Sequence, residues 1–132
     1  MKIGIVVSDF NEEITSKMEK TAETVAKTLD AEIVEKIHVP GAFEIPYAAK
    51  KLFEDKNLDA IVVLGVVIQG ETDHDAIIVN TISPKLLELS LENNKPLGFG
   101  IIGPKVTKQQ AETRAEKYAE RAVKTALEMI SK

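Results

Sequence analysis

Apolar and polar positions along this chain follow two alternating rhythms. Four short apolar runs, at residues 2–7, 32–39, 60–68 and 97–102, are separated by longer stretches in which apolar residues return every three or four positions. A strand rhythm followed by a helix rhythm, repeated four times, predicts βα units that build a parallel sheet covered on both faces. In the first helical stretch Ile14, Met18, Ala22, Val25 and Leu29 form one buried stripe. Asn11 stands where an N-cap belongs, and Glu12 and Glu13 suit the positive end of the helix dipole. The second helix starts around Phe43 to Pro46, because proline is tolerated where no amide donor is needed, and runs to about Asp55, with Asn57 marking the turn. The third covers residues 73–92 with Pro84 well inside it. An interior proline removes one backbone bond and crowds the carbonyl four residues back, so a kink or break is predicted just before it. The fourth, residues 108–130, carries Ala111, Ala115, Tyr118, Ala122, Ala126 and Met129 on one stripe, and its small residues permit close approach by another helix.

With 132 residues, this pattern fills one domain, expected to span residues 1–132, with no internal repeat or linker. Hydrophobic residues at 44% and charged residues at 29% fit a globular chain, and no apolar run reaches bilayer-spanning length. Met1 leads straight into the first strand without a signal-peptide pattern, so the expected location is cytoplasmic. Seventeen Lys and Arg against twenty-one Asp and Glu give a net charge of -4, the wrong sign for tracking a nucleic-acid backbone. A small anion can still bind, since one arginine and a helix N-terminus suffice for a local positive site. There is no cysteine, hence no disulfide framework and no thiolate nucleophile or ligand.

In a parallel sheet, ligands bind outside the carboxyl ends of the strands, which directs attention to the segments that follow the apolar runs. Ser8-Asp-Phe-Asn11 follows the first. Phe10 there either staples the first helical turn or faces a ligand, and Asn11 is either only a cap or a cap that also touches that ligand. Gly41-Ala-Phe-Glu-Ile-Pro46 follows the second run and offers free amides at a helix start. Its Glu44 either serves the helix dipole or accepts bonds from a polyol, and Phe43 is either ligand-facing or a core residue whose main chain binds. The third run ends in Gly65-Val-Val-Ile-Gln-Gly-Glu-Thr-Asp-His74. Val66, Val67 and Ile68 close the strand with core side chains, and Glu71 and Thr72 open a helix whose unpaired amides suit a phosphate. His74, in the first helical turn, is either idle and exposed or a proton-transfer group. Its neighbours Asp73 and Asp75 favour the imidazolium while the helix N-terminus opposes it; the expectation is that the carboxylates prevail. Consecutive helical positions diverge, which argues against a metal held by these three residues. His38, ending the second run, reads as a structural or surface residue. Phe99 reads as core at the end of the fourth strand, and Arg114, flanking the stripe of the last helix, reads as solvent-facing on pattern alone.

The strings Val39-Pro-Gly-Ala-Phe-Glu-Ile-Pro46 and Gly70-Glu-Thr-Asp-His74, with Ser8-Asp-Phe-Asn11 and Gln110-Ala-Glu-Thr-Arg-Ala115 at matching intervals, resemble the lumazine synthase family over nearly the whole chain. The resemblance implies a flavodoxin-like three-layer α/β/α sandwich with a four-stranded parallel sheet in the order 2-1-3-4. It implies a transferase of riboflavin biosynthesis that condenses 5-amino-6-(D-ribitylamino)uracil with 3,4-dihydroxy-2-butanone 4-phosphate to 6,7-dimethyl-8-ribityllumazine, releasing phosphate and water. By that resemblance Phe10 stacks on the pyrimidine, and the main chain and carboxylate of Ala42, Phe43 and Glu44 hold the ribitylaminouracil. Main-chain groups of Val66, Val67 and Ile68 pair with the uracil edge, and Phe99 covers the substrate of a neighbouring subunit. Glu71 through its amide, Thr72 and Arg114 take the phosphate, and His74 transfers protons. No cofactor and no metal is implied. The implied partners are the two small-molecule substrates and further copies of the chain, a homopentamer with a decamer and a sixty-subunit shell left open. Riboflavin synthase is a candidate protein partner; nucleic acid and membrane are not.

The chain also departs from that family. Gln69 stands where an arginine is usual, Asp75-Ala76 replace an aromatic, and about one helical turn is missing downstream of Arg114, leaving Lys117 as the candidate for a further family lysine. The extra N-terminal strand of many members has no counterpart. Among rival readings, archaeal-type riboflavin synthase lacks the Ala-Phe-Glu and Gly-x-Thr-x-His strings. A non-catalytic flavodoxin-like binding protein would need a Ser/Thr/Gly-rich loop where Ser8-Asp-Phe-Asn-Glu-Glu13 is acidic, and a receiver would need an aspartate where Val67-Ile68 stand. A non-catalytic shell subunit would show no turnover.

Overall fold

The computed structural model describes residues 1–70, 72 and 74–132. The chain runs β1 (Lys2–Ser8), α1 (Glu12–Thr28), β2 (Glu32–Val39), a 3-10 turn (Ala42–Glu44), α2 (Ile45–Phe53), β3 (Ala60–Val66), α3 (His74–Asn93), β4 (Leu97–Ile102) and α4 (Lys108–Ile130). Every strand pair is parallel and the order is β2-β1-β3-β4, the flavodoxin-like arrangement. Helices α1 and α4 cover one face, over Ile5, Val7, Val62 and Leu64; α2 and α3 cover the other, over Val6, Ile61 and Val63. Burial on both faces is why β3 is apolar at every position instead of alternating. Each aliphatic side chain so buried contributes about 1.5–3 kcal/mol.

Local chemistry sets the helix ends. Pro46 lies in the first turn of α2. Thr107 and Gln110 form a reciprocal capping box that starts α4, the Gln110 amide donating to the Thr107 hydroxyl at 3.1 Å and the Thr107 amide to Gln110 Oε1 at 3.0 Å. Asn11 occupies the N-cap position of α1, and its carbonyl accepts the Ile14 and Thr15 amides, but its side chain makes no capping bond. Its left-handed backbone, φ 65°, is the reason: a capping side chain reaches the first amides from an extended backbone.

Several expectations are corrected. The break before Pro84 is absent, and α3 is helical through it. The carbonyl that Pro84 leaves without an amide belongs to Asn80, on an exposed residue where water can serve it. The hydroxyls of Thr81 and Ser83 meanwhile donate back to the carbonyls of Ile77 and Val79. β3 stops at Val66, so Val67 and Ile68 lie beyond the strand; the Val67 amide bonds the Ile102 carbonyl and the Gln69 amide that of Val106. Phe99 sits in the middle of β4, paired with Val63, and is 40% exposed and therefore not core. Leu29 falls just past the end of α1 and is exposed, and Ala26 takes its place in the seam. On α4 the buried face includes Ala119, Val123 and Leu127 while Met129 is exposed, because a 3.6-residue repeat drifts off a stripe drawn at fixed spacing. Among the described residues no helix is long and apolar enough to cross a membrane.

Candidate active site

Because all four strands point the same way, the segments leaving β1, β2 and β3 meet at one edge of the sheet. They enclose a cavity of about 680 Å³. Phe10 and Asn11 come from the first segment, Gly41 and the Ala42–Glu44 turn from the second, and residues 66–70, Thr72 and His74 from the third. Val66 and Val67 are buried, Ile68 partly so. Phe10 and Phe43 are 70% and 59% exposed, which removes the staple and core alternatives for both rings. The side-chain amide of Asn11 has a buried Nδ2 with no hydrogen-bond partner, an unused donor on a residue of the cavity wall.

The placement of each segment has a backbone cause. Past the end of β1 the parallel pairing with β2 continues, the Asp9 amide donating to the Val39 carbonyl at 2.8 Å and the Phe10 amide to that of Pro40 at 3.0 Å. At the start of α3 the His74 amide donates to the Thr72 hydroxyl at 3.3 Å. His74 itself is exposed. Asp75, the one buried charged side chain among the described residues, does not face water: its carboxylate accepts the Lys105 amide at 2.8 Å and ties α3 to the loop before α4. Glu71 and Asp73 lie outside the described residues.

Two lining residues were missed by pattern reading. Ile78 continues the wall along α3, and Lys108, the first residue of α4, brings the sole Lys or Arg side chain among the described lining residues. Lys108 Nζ lies 2.9 Å from Glu13 Oε1 of α1. The Glu13 carboxyl is held below its usual range chiefly by this bond, and the pair moors the start of α4 beside the start of α1. The only sequence signal for Lys108 is the Thr107 to Gln110 capping box, which starts α4 at the carboxyl edge of the sheet.

Two further site candidates are not brought to this cavity within one protomer. Phe99 lines a shallow depression with Leu87, Leu91 and Met129, and Arg114 another with Thr107 and Gln110. Lys117 faces a larger hollow of about 830 Å³ beside Met1 and Leu29, near the amino end of the sheet. Among the described residues no three His, Asp or Glu side chains stand close enough to hold a metal ion.

A model of the 6,7-dimethyl-8-ribityllumazine synthase family matches residues 1–132. The chain belongs to the lumazine synthase family. It is 46% identical to the 6,7-dimethyl-8-ribityllumazine synthase of Methanoculleus marisnigri over all 132 residues, covering 97% of that protein. It is 44% identical to the synthase of Methanocaldococcus jannaschii, again over the whole chain and 93% of the relative. With the synthase of Metallosphaera sedula the identity is 48% over 129 residues, 98% of this chain and 85% of the relative. Lumazine synthase relatives of this similarity span the cavity-forming segments and α4 alike.

Proposed function

We propose that the cavity is where this member of the lumazine synthase family condenses 5-amino-6-(D-ribitylamino)uracil with 3,4-dihydroxy-2-butanone 4-phosphate to 6,7-dimethyl-8-ribityllumazine. The observation that carries the reading is convergence: Phe10, the Ala42–Glu44 turn, residues 66–68, Thr72 and His74 come from separate stretches of chain and line one cavity. A flat heterocycle fits beside the exposed ring of Phe10, with its polar edge toward the main chain of Val66, Val67 and Ile68. Glu44 and Asn11 supply an acceptor and a donor for the ribityl hydroxyls. The phosphate lies toward the start of α3, at Thr72 and the Glu71 amide, where helix dipole and amide donors favour an anion.

In this reading the 5-amino group attacks the ketone and water leaves to form a Schiff base. Elimination then expels phosphate, and the ribitylamino nitrogen closes the second ring with loss of water. Each step moves a proton, and His74 lies on the cavity wall where it can relay them. The larger acceleration comes from holding two reactants in one cavity. No cofactor enters the sequence of steps.

A single protomer presents an incomplete site under this proposal, since Phe99 and Arg114 point to other depressions. The exposed apolar side chains Ile77, Leu87, Leu91 and Phe99 support burial against a second copy, and we take the assembly to be a homopentamer in which a neighbour supplies Phe99 and Arg114. Decamer and sixty-subunit shell are higher orders of the same ring, and riboflavin synthase is the candidate partner outside it. The test is formation of lumazine, followed by absorbance, from the two substrates. Co-assembly of Phe10→Ala with Arg114→Ala chains then probes sharing: sites that pair an intact Phe10 with an intact Arg114 from the neighbour restore part of the activity. Riboflavin formed from lumazine alone, or a monomer in sedimentation, overturns the proposal.

A further inference from the structure

We propose that His38 is a positioning residue: by bridging Asp9 and Glu19 it fixes the loop that carries Phe10, and so sets how tightly the aminouracil is held. The inference rests on the reading of Phe10 as the stacking ring.

Phe10 is 70% exposed, so no packing of its own ring holds it in place. Its position is set by the backbone around it, and that backbone hangs on the end of β2 through the Asp9 and Phe10 amides. β2 is an outer strand of the sheet, with most of its side chains exposed, and offers a weakly packed anchor. His38 supplies what packing does not. Its Nδ1 lies 2.7 Å from Asp9 Oδ1 in the loop, and its Nε2 lies 3.1 Å from Glu19 Oε2 on α1. One imidazole thus joins three elements at the residue next to Phe10.

Both ring nitrogens face carboxylates, and ionised carboxylates only accept, so both bonds form together only in the imidazolium. The neighbouring cation, Lys36, works against that form by sharing Glu19, and Asp9 is the carboxylate that His38 does not share with it. Lys36 of β2 sits on the same Glu19 oxygen at 2.9 Å and on Glu23 of α1 at 3.1 Å, leaving Asp9 to His38. The Asp9 bond holds the His38 pKa above its ordinary value, with burial opposing and Glu19 adding to the rise. The bridge is therefore complete below the ordinary histidine pKa of about 6.5 and is lost as pH rises through the raised value.

The experiment measures KM for the ribitylaminouracil and kcat between pH 6 and 9, on the scale of about three units that spans this titration, for the parent and for His38→Gln, His38→Arg, Asp9→Asn and Phe10→Ala. His38→Gln and Asp9→Asn are expected to raise this KM roughly threefold below pH 7, the scale of a partly exposed ion pair, with kcat at saturation near that of the parent. His38→Arg, charged throughout, is expected to keep the low KM and to remove the part of the pH dependence that the parent shows above neutrality. Parent-like KM and pH profile in both His38→Gln and Asp9→Asn overturn the inference. Phe10→Ala separates the two levels of the argument: a raised KM there alone sinks the role of His38 and leaves the site reading intact. An unchanged KM in Phe10→Ala removes both.

Discussion

Gly98→Ala is a severe test of how α4 sits on the sheet. A Cβ built at Gly98 would lie 2.9 Å from the carbonyl carbon of Ala122, closer still to its oxygen, and 3.2 Å from the Ala126 methyl. Ordinary contact begins near 3.4 Å, and the obstructing group is helix backbone, which cannot rotate away. The methyl therefore fits only if α4 lifts from β4 by about 1 Å, a gap that forfeits a quarter to a half of each dispersion contact it opens. The contacts at risk are those of Ala115, Ala119, Ala122 and Ala126, all buried, and of the sheet residues beneath them. Overpacking of this kind costs about 3 kcal/mol, and for a domain of this length that is a fall of about 10 °C in Tm. Gly70→Ala is the internal control, because among the described residues nothing beyond its chain neighbours lies within 4 Å of a Cβ built there. The two proteins should be compared with the parent by thermal melts followed by circular dichroism at equal subunit concentration. A Gly98→Ala melt within about 2 °C of the parent would refute the reasoning, since it would mean the helix yields at almost no cost.

His74→Ala is expected to lower kcat by about a hundredfold, the lower range for loss of a proton-transfer group, with both KM values near those of the parent. A parent-like kcat removes His74 from the chemistry. A second prediction concerns pH and stability: burial raises the Glu19 pKa, but its bonds to Lys36 and His38 outweigh burial and hold it below the ordinary value. A depressed carboxyl stabilises above its unfolded pKa and loses that as pH falls, whereas the raised His38 stabilises at low pH and loses that as pH climbs. Tm in the parent is thus expected to carry a contribution that is largest between about pH 4.5 and 6.5 and declines on either side. Glu19→Gln should flatten the acid flank and reduce the alkaline one, where the Asp9 bond remains, and an unaltered profile in melts from pH 2.5 to 8.5, about two units beyond each flank, would contradict the assignment.

Much of the site was readable because its parts are contiguous. Gly41-Ala-Phe-Glu-Ile-Pro46 contains its own helix start, so that string carries its local geometry with it, and His74 is the first residue of α3. Phe10 was ambiguous because a ring at that position can pack or project, and only its exposure decided which. Lys108 and the Asp75 tie to Lys105 escaped notice for a different reason: each matters through a partner far along the chain, at separations that no periodicity records. Of the kink or break predicted before Pro84, the break is absent, because proline's cost depends on whether the deprived carbonyl is buried, and here its residue is exposed.

By itself the amino-acid sequence determined the number and kind of elements, the parallel sheet and the strings that mark the family, because strand and helix faces repeat at fixed short intervals and turns are built from adjacent residues. The tertiary structure alone decided which side chains share a cavity, that Phe99 and Arg114 do not join it within one protomer, and that His38 bridges a loop to a helix. Those outcomes depend on packing between elements, where a fraction of an ångström or a quarter turn of a helix redirects a side chain without altering the local pattern that produced the helix.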